Sequence, residues 1–403
     1  MPVRPLAFLL IIVALAPPVS AQRSRQSATA VDPSWAAFVE GFDTHARDLG
    51  LVGGAAMLVR DGRVAARHAV GLADRARGVR VGDSTIFHWA SITKPLTAVA
   101  ILQLRDRGLL TLDDPVVRWV PELRRVHDPF GARDSITIRM LLSHSSGFQA
   151  GTWPYGRGRP WEPFEPTEWS QLVAMMPYQQ LVFRAGTRYG YSNPGFVYLA
   201  RIIETITGDP WAVYVQKNIF TPLGLTRSYV GATPYHLALH RSHNYDVRRD
   251  TASGLDSVVD NGAEFDPGIT IPNSGWNAPL DDVARWIAFL TGAADSPAER
   301  ALFDGVLSRQ SLEEMWRPLV PVSPDSAGRP RVDMGLSFFV YDVDGSPIIG
   351  HTGSQAGFRS FMYFDPRTRH GIVWSFNTAN ARAEQPAGWA RGSLVELAFR
   401  AVR

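Results

Sequence analysis

The chain has 403 residues, a formal net charge of +3 and no cysteine. Its length allows one large two-lobed unit or two domains, and arginines interspersed with acids argue against a nucleic-acid partner. The absence of cysteine excludes disulfides, a thiol nucleophile and thiolate metal sites, so stability must come from burial.

The chain opens MPVRPLAFLLIIVALAPPVSAQ, with Arg4 ahead of an unbroken apolar run from Leu6 to Ala16 and small residues at Val19 and Ala21. This is the pattern of a secretory signal peptide over 1–21, cut after Ala21, and the run is too short to span a bilayer. The expectation is an exported chain, periplasmic or secreted, with no stable membrane span. Retention of the segment as an uncleaved anchor is the alternative.

DPSWAAFVEGFDTHARDLG then carries apolar residues at helical spacing and closes on Gly50. LVGGAAMLVRDGRVAARHAVGLAD reads as two strands joined at Asp61-Gly62, a two-residue hairpin turn. From Ser91 to about Leu290 the pattern is mainly helical, in TKPLTAVAILQLRDRG, SITIRMLLSHSSG, NPGFVYLARIIETITG, PWAVYVQKNIFTPLG and PLDDVARWIAFLTG. Strand patterns return in GLSFFVYDVDGSPIIGHTG, with a turn at Asp344-Gly345, and in FRSFMYFDP and GIVWSFNT, before a terminal helix. The predicted fold class is α+β: an antiparallel sheet built from both chain ends, flanked by helices, with a mainly helical lobe inserted. Residues 22–403 would form a single domain, with an α/β lobe over 32–90 plus 291–403 and a helical lobe over 91–290. A site is expected in the cleft between lobes.

Lysine occurs at only two positions, Lys94 and Lys217, in a chain otherwise served by arginine. Lys94 lies three residues after Ser91, so on a helix the two would share a face. Pro95 is tolerated only in a helix's first turn, which puts the helix start near Ser91 and the positive end of its dipole beside the hydroxyl. Free lysine titrates near about 10.4, and work as a base at neutral pH demands about 4 kcal/mol of bias against its charged form. Burial can supply that bias for lysine but not for arginine. In RYGYSNPG, Tyr191 and Asn193 stand two apart, a phenol able to relay a proton and an amide able to hold the lysine or bind a carbonyl. In GHTGSQAGF, His351, Thr352 and Gly353 end a strand ahead of Ser354, whose backbone N–H could form an oxyanion hole with that of Ser91.

Ser-x-x-Lys, Tyr-x-Asn and His-Thr-Gly, in that order, resemble the motifs of the serine penicillin-recognising family of class C β-lactamases, DD-peptidases and related esterases. Segments such as LTLDDPVVRWVPEL, IRMLLSHSSGF and IFTPLGLTRSYV also resemble family segments in family order, so the likeness covers nearly the whole mature chain. The resemblance implies a β-lactamase/transpeptidase-like fold and a cofactor-free serine hydrolase in which Ser91 attacks a carbonyl, Lys94 and Tyr191 move the proton, and water deacylates the acyl-enzyme. Asn193, His351, Thr352, Gly353 and Ser354 would bind substrate. The partner would be a small-molecule or peptide acyl donor, which could be a cell-wall peptide. His351 stands where most β-lactamases carry lysine, which favours an esterase or DD-peptidase over a class C-like β-lactamase. A non-catalytic penicillin-recognising binder is the rival from another class.

Other signals carry less. His236, His240 and His243 have spacings a metal could use, but loop or surface histidines explain them better. Gly190-Tyr191-Ser192-Asn193-Pro194 fails as a nucleophile elbow at its last position. The aromatic stretch 152–169, with Arg157 and Arg159, could wall the cleft or pack on the helical lobe. Trp276, Asn273 and Ser274 are further candidates to line the cleft, and Asp113-Asp114 and Asp281-Asp282 read as helix N-terminal charge.

Overall fold

The computed structural model describes residues 32–152, 166–249, 254, 256–324, 329–380 and 392–403. The expected signal peptide therefore lies outside the described residues. Both Asp-Gly pairs turn hairpins: Asp61 and Gly62 have φ of 46° and 76°, and Asp344 and Gly345 have 53° and 76°. Two successive residues with positive φ match the right-handed twist of the strands they join.

These hairpins feed a nine-stranded sheet, which runs in the order Val79–Arg80, Arg63–Asp74, Gly53–Arg60, His370–Phe376, Phe358–Asp365, Ser346–Gln355, Phe339–Val343, Arg331–Met334 and Val320–Ser323. Its pairings are antiparallel. The two chain ends meet where Gly53–Arg60 pairs with His370–Phe376.

Side chains alternate across a strand, so each strand serves two cores. Leu58, Ile372, Trp374 and Tyr363 face one layer, where Trp35, Phe38 and Phe42 of the first helix (Pro33–Asp48) meet Val395, Phe399 and Val402 of the last (Leu394–Val402). Met57, Val59, Met362, Phe364 and Val373 face the other, larger core, which they share with the helical segment. At its centre runs the helix Lys94–Asp106, buried without interruption from Lys94 to Leu104. A helix apolar on all sides belongs in the middle of a lobe, and this one packs against Pro194–Thr207.

Three local expectations change. The helix Leu280–Thr291 falls within the span assigned to the helical lobe, yet it packs on the central strands Gly53–Arg60 and His370–Phe376. Gly371 makes room for it, since a Cβ there would sit 2.5 Å from Ile287 Cγ2. In SITIRMLLSHSSG only Ile138–Leu142 is helical, because His144 turns to a φ of +54°. PWAVYVQKNIFTPLG is helical throughout, but Gln216–Phe220 takes the π form. Two small sheets were not anticipated: Phe87–His88, Trp276–Ala278 and Tyr229–Val230 form one, and Tyr245–Arg249, Asp256–Asp260 and Thr378–Asn380 the other. The strands of two or three residues in the first are too short to show a period, whereas Tyr245–Arg249 and Asp256–Asp260 have five residues each and are mostly polar.

Trp374 is fully buried, with its ring stacked 4.6 Å from Phe361 and edge-on 5.3 Å from Phe38. Trp374→Ala should lower unfolding free energy by about 3–5 kcal/mol, the usual cost of a large aromatic cavity, as read from urea denaturation.

Candidate active site

The short strand Phe87–His88 leads into a single 3₁₀ turn, Ala90–Thr93, and the α-helix begins at Lys94 with Pro95 in its first turn. Ser91 sits in the 3₁₀ turn, so the helix starts three residues later than its position. Ala90 has a φ of +47°, which costs a non-glycine residue about 1–2 kcal/mol. Surrounding bonds hold it there. Thr93 Oγ1 donates to the Ala90 carbonyl at 2.6 Å, and the Trp276 N–H donates to Thr93 Oγ1 at 2.9 Å. Trp89 donates from its backbone N–H to the Trp276 carbonyl (2.8 Å) and from Nε1 to the Ala278 carbonyl (2.9 Å). Trp276 thus lies fully buried beneath the turn and does not line the cleft, contrary to the sequence reading.

Lys94 is completely buried. Its Nζ lies 3.0 Å from Ser91 Oγ and donates to Asn193 Oδ1 at 2.8 Å and to the Asn273 carbonyl at 3.1 Å. Burial holds this amine well below the usual lysine range. Lys217, the other lysine, is an exposed ion-pair partner of Asp209 at 2.7 Å. The Tyr191 ring lies under the Lys94 amine, with the Nζ 4.9 Å from its centroid. Burial pushes the phenol up, opposed by its hydrogen bond with Ser91. Asn193 stands at the N-cap position of the helix Pro194–Thr207, where its side chain makes no capping bond and instead accepts from Lys94. Asn273 contributes a backbone oxygen, which no side-chain motif could reveal, while its Nδ2 donates to the Asn193 carbonyl at 3.3 Å. Ser274 turns away, donating to the Thr270 carbonyl at 3.0 Å.

The strand Ser346–Gln355 closes the other side. Phe339–Val343 pairs with it only as far as Gly350, whereas Phe358–Asp365 pairs through to Gln355. The outer edge of 351–355 therefore carries no strand partner among the described residues. Gly353 presses on the Ser91 turn: a Cβ there would lie 2.2 Å from the Trp89 carbonyl oxygen. His351 is buried, and its Nδ1 lies 2.6 Å from the Thr352 carbonyl, to which it donates. Its pKa is lowered to about 3 by burial and then by the Lys94 charge, against the bond to Thr352. Thr352 is half-buried and Ser354 exposed.

The structure thus brings Ser91, Lys94, Tyr191 and Asn193 into one hydrogen-bonded group, with His351, Thr352, Gly353 and Ser354 on the facing strand. It adds His144, which the sequence reading passed over within a family-like segment. His144 stacks on Tyr191 with centroids 4.3 Å apart and planes 28° apart, and its Nδ1 accepts the Ser192 N–H at 3.1 Å.

The remaining candidates lie elsewhere. His243 pairs with Asp260 at 3.0 Å, and His236 is exposed on the turn Tyr235–His240. Among the described residues, no three His, Asp or Glu side chains are placed to hold a metal. Residues 153–165 of the aromatic stretch lie outside the described residues, Arg157 and Arg159 with them. Asp282 does more than charge a helix N-terminus: it is buried and accepts from the Arg227 N–H (3.0 Å) and Ser228 Oγ (2.9 Å). Asp281 pairs with Arg67, and Asp113 with Arg139.

A hydroxyl beside a buried amine and a phenol, facing the strand Ser346–Gln355, is the arrangement expected of the penicillin-recognising type. The beta-lactamase family model matches residues 35–396, and the chain belongs to that family. It is 37% identical to esterase EstB of Burkholderia gladioli over 212 residues, 49% of this chain and 52% of that protein. It is also 26% identical to penicillin-binding protein 4* of Bacillus subtilis, over 78% of this chain and 66% of that protein. These matches span about half to two thirds of the relatives' lengths. Among solved structures, a D-stereospecific amidohydrolase from Streptomyces sp. matches with a TM-score of 0.67 and 25% identity, covering 90% of this chain and 98% of that one. A class C beta-lactamase shares the fold at a TM-score of 0.67 and 19% identity, covering 91% and 95%.

Three buried histidines are held neutral: His88 is lowered to about 4 and His351 to about 3, while His144 is held well below its usual range, burial being the first cause of each. Each folded value lies beneath the unfolded one of about 6.5, so the unfolded chain binds more protons in the window between them. Stability should therefore fall as pH drops from about 6.5 towards 4, by up to about 1.4 kcal/mol per pH unit for each histidine. Urea denaturation at pH 7, 6 and 5 measures this, with a flat midpoint as the contrary result.

Proposed function

We propose that this protein is an exported serine hydrolase that cleaves esters or amides through an acyl-enzyme on Ser91. The observation that carries the proposal is the wholly buried Lys94 Nζ, 3.0 Å from Ser91 Oγ, whose hydrogen bonds go to a hydroxyl, an amide oxygen and a carbonyl. A neutral amine has two N–H groups and one lone pair. With its two N–H groups donated to Asn193 Oδ1 and the Asn273 carbonyl, its lone pair is aimed at the Ser91 hydroxyl. Lys94 then takes that proton as Oγ attacks the acyl carbon, the Tyr191 phenol passes its proton to the leaving oxygen or nitrogen, and the lysine ammonium returns its proton to the phenolate. The backbone N–H groups of Ser91 and Ser354 receive the oxyanion. Water gives one proton to the neutral Lys94 amine as it attacks the acyl carbon, and that proton returns to Ser91 Oγ as the acid leaves.

Substrate preference follows from His351. A β-lactam or D-Ala-D-Ala peptide presents a carboxylate near the scissile bond, and a buried imidazole with a pKa lowered to about 3 offers it no positive charge. An uncharged ester is the leading acyl donor, which the similarity to EstB supports. A D-amino-acid amide, which also lacks that carboxylate, is the next, supported by the likeness to a D-stereospecific amidohydrolase. Export rests on the leader pattern of residues 1–21, and N-terminal sequencing of mature protein should begin at Gln22.

On a short-chain nitrophenyl ester, kcat/KM should exceed that on a cephalosporin by about 100-fold or more, a gap set by a missing charge contact. Ser91→Ala should abolish labelling by a fluorophosphonate probe, and Lys94→Met, an uncharged side chain of similar length, should lower kcat by about 100-fold or more. A cephalosporin turned over as fast as the ester would overturn the substrate preference. Persistent labelling of Ser91→Ala would move the nucleophile elsewhere.

A further inference from the structure

His144 combines four features that a packing residue does not need together. It is fully buried, it holds a non-glycine φ of +54°, its ring stacks on Tyr191, and its Nε2 has no hydrogen-bond partner. Leaving a buried imidazole nitrogen unsatisfied costs free energy that an apolar ring of similar shape would avoid. The groups facing it are Lys94 from the central helix, Tyr189 and Tyr191 from the loop before Pro194, Phe196 from the following helix, and His351 from the sheet. None is an acid that would hold an imidazolium. Because Nδ1 accepts the Ser192 N–H, the ring proton must reside on Nε2.

We propose that His144 is the positioning residue for Tyr191: a neutral imidazole, fixed in one tautomer by the Ser192 N–H, whose face sets the plane of the phenol and keeps water from the Lys94 amine beside it. This rests on the assignment of Ser91, Lys94 and Tyr191 to the proton-transfer machinery. Two bonds from neighbouring backbone brace the support. The His144 carbonyl accepts the Gly190 N–H at 2.8 Å and the Ala150 carbonyl accepts the Asn193 N–H at 3.1 Å, so the 144–150 turn and the Tyr191 loop move as one. A tyrosine that must meet Ser91 Oγ within hydrogen-bond reach gains from being held on one face by a ring that cannot itself take the proton.

His144→Asn is the informative variant, since asparagine tolerates positive φ and its Oδ1 can accept the Ser192 N–H, so that the stacked ring alone is lost. With the nitrophenyl ester, kcat should fall about 10–100-fold while KM changes less than about threefold, the scale of a misplaced catalytic group. Water admitted beside the amine should also raise the acid limb of kcat/KM by about half a pH unit or more, because the charged lysine is then less disfavoured. A folded variant with wild-type kcat and an unmoved limb overturns the proposal. Should that variant not fold, ¹⁵N-histidine NMR of the wild-type protein decides. A neutral His144 protonated at Nε2 at pH 7 supports the assignment, and an Nδ1–H tautomer or an imidazolium overturns it. Labelling of Ser91→Ala would bring down the nucleophile assignment while leaving the tautomer result standing, so the two failures are told apart.

Discussion

The structure depends on one buried amine. Lys94 lies in the middle of the larger core, on a helix buried residue after residue to Leu104, and an ammonium in such a place is costly unless an acid accompanies it. Its hydrogen bonds run instead to uncharged oxygens, from Ser91, Asn193 and Asn273. The low dielectric that removes the proton leaves the amine with a free lone pair, so the packing of the lobe and the proposed chemistry of the site share one cause. The exposed Lys217, satisfied by Asp209, shows what the same side chain does without that constraint.

The segments that hold this amine are far apart in the chain, and each arrives through a different backbone device. The Ser91 turn stores strain at Ala90, balanced by the Thr93 and Trp276 bonds that lock it. The facing strand comes close only because residue 353 has no side chain to meet the Trp89 carbonyl. Asn193 stands at the N-cap position of one helix while its side chain accepts from the lysine. A site assembled this way is preorganised: its donors and acceptors are set by sheet register and helix ends before any acyl group enters.

The antiparallel sheet was legible because its hairpins carry Asp-Gly turns and its central strands, from Arg63–Asp74 across to Phe339–Val343, run five residues or more, enough to show a period. The long helices were legible through their apolar spacing and glycine ends. The strands of two or three residues beside Ser91 left no such mark. Ser91, Lys94, Tyr191 and Asn193 could be read because side-chain identity carries their chemistry. The Asn273 carbonyl could not, since any residue at that position has one. Trp276 was misplaced because an aromatic near a cleft and an aromatic beneath it look alike in sequence. Asp282 was undervalued for a related reason: its partners, Arg227 N–H and Ser228, lie about 55 positions away and are joined to it only by the fold.

His144 shows where the two kinds of information meet. Its sequence context, LLSHSSG, suggests a turn with a polar residue in it. Only the packing reveals that the ring is enclosed, stacked and half-satisfied. The surrounding chemistry then has a consistent sign. Lys94, His144, His351 and His88 are all pushed towards their neutral forms by burial, so none of these four offers a full positive charge to a carboxylate. In the proposed acyl transfer, negative charge would be met by backbone N–H groups and the start of the central helix, whose strength does not depend on a proton being present. That separation, with neutral side chains moving protons and fixed dipoles holding charge, is what burying the lysine makes possible.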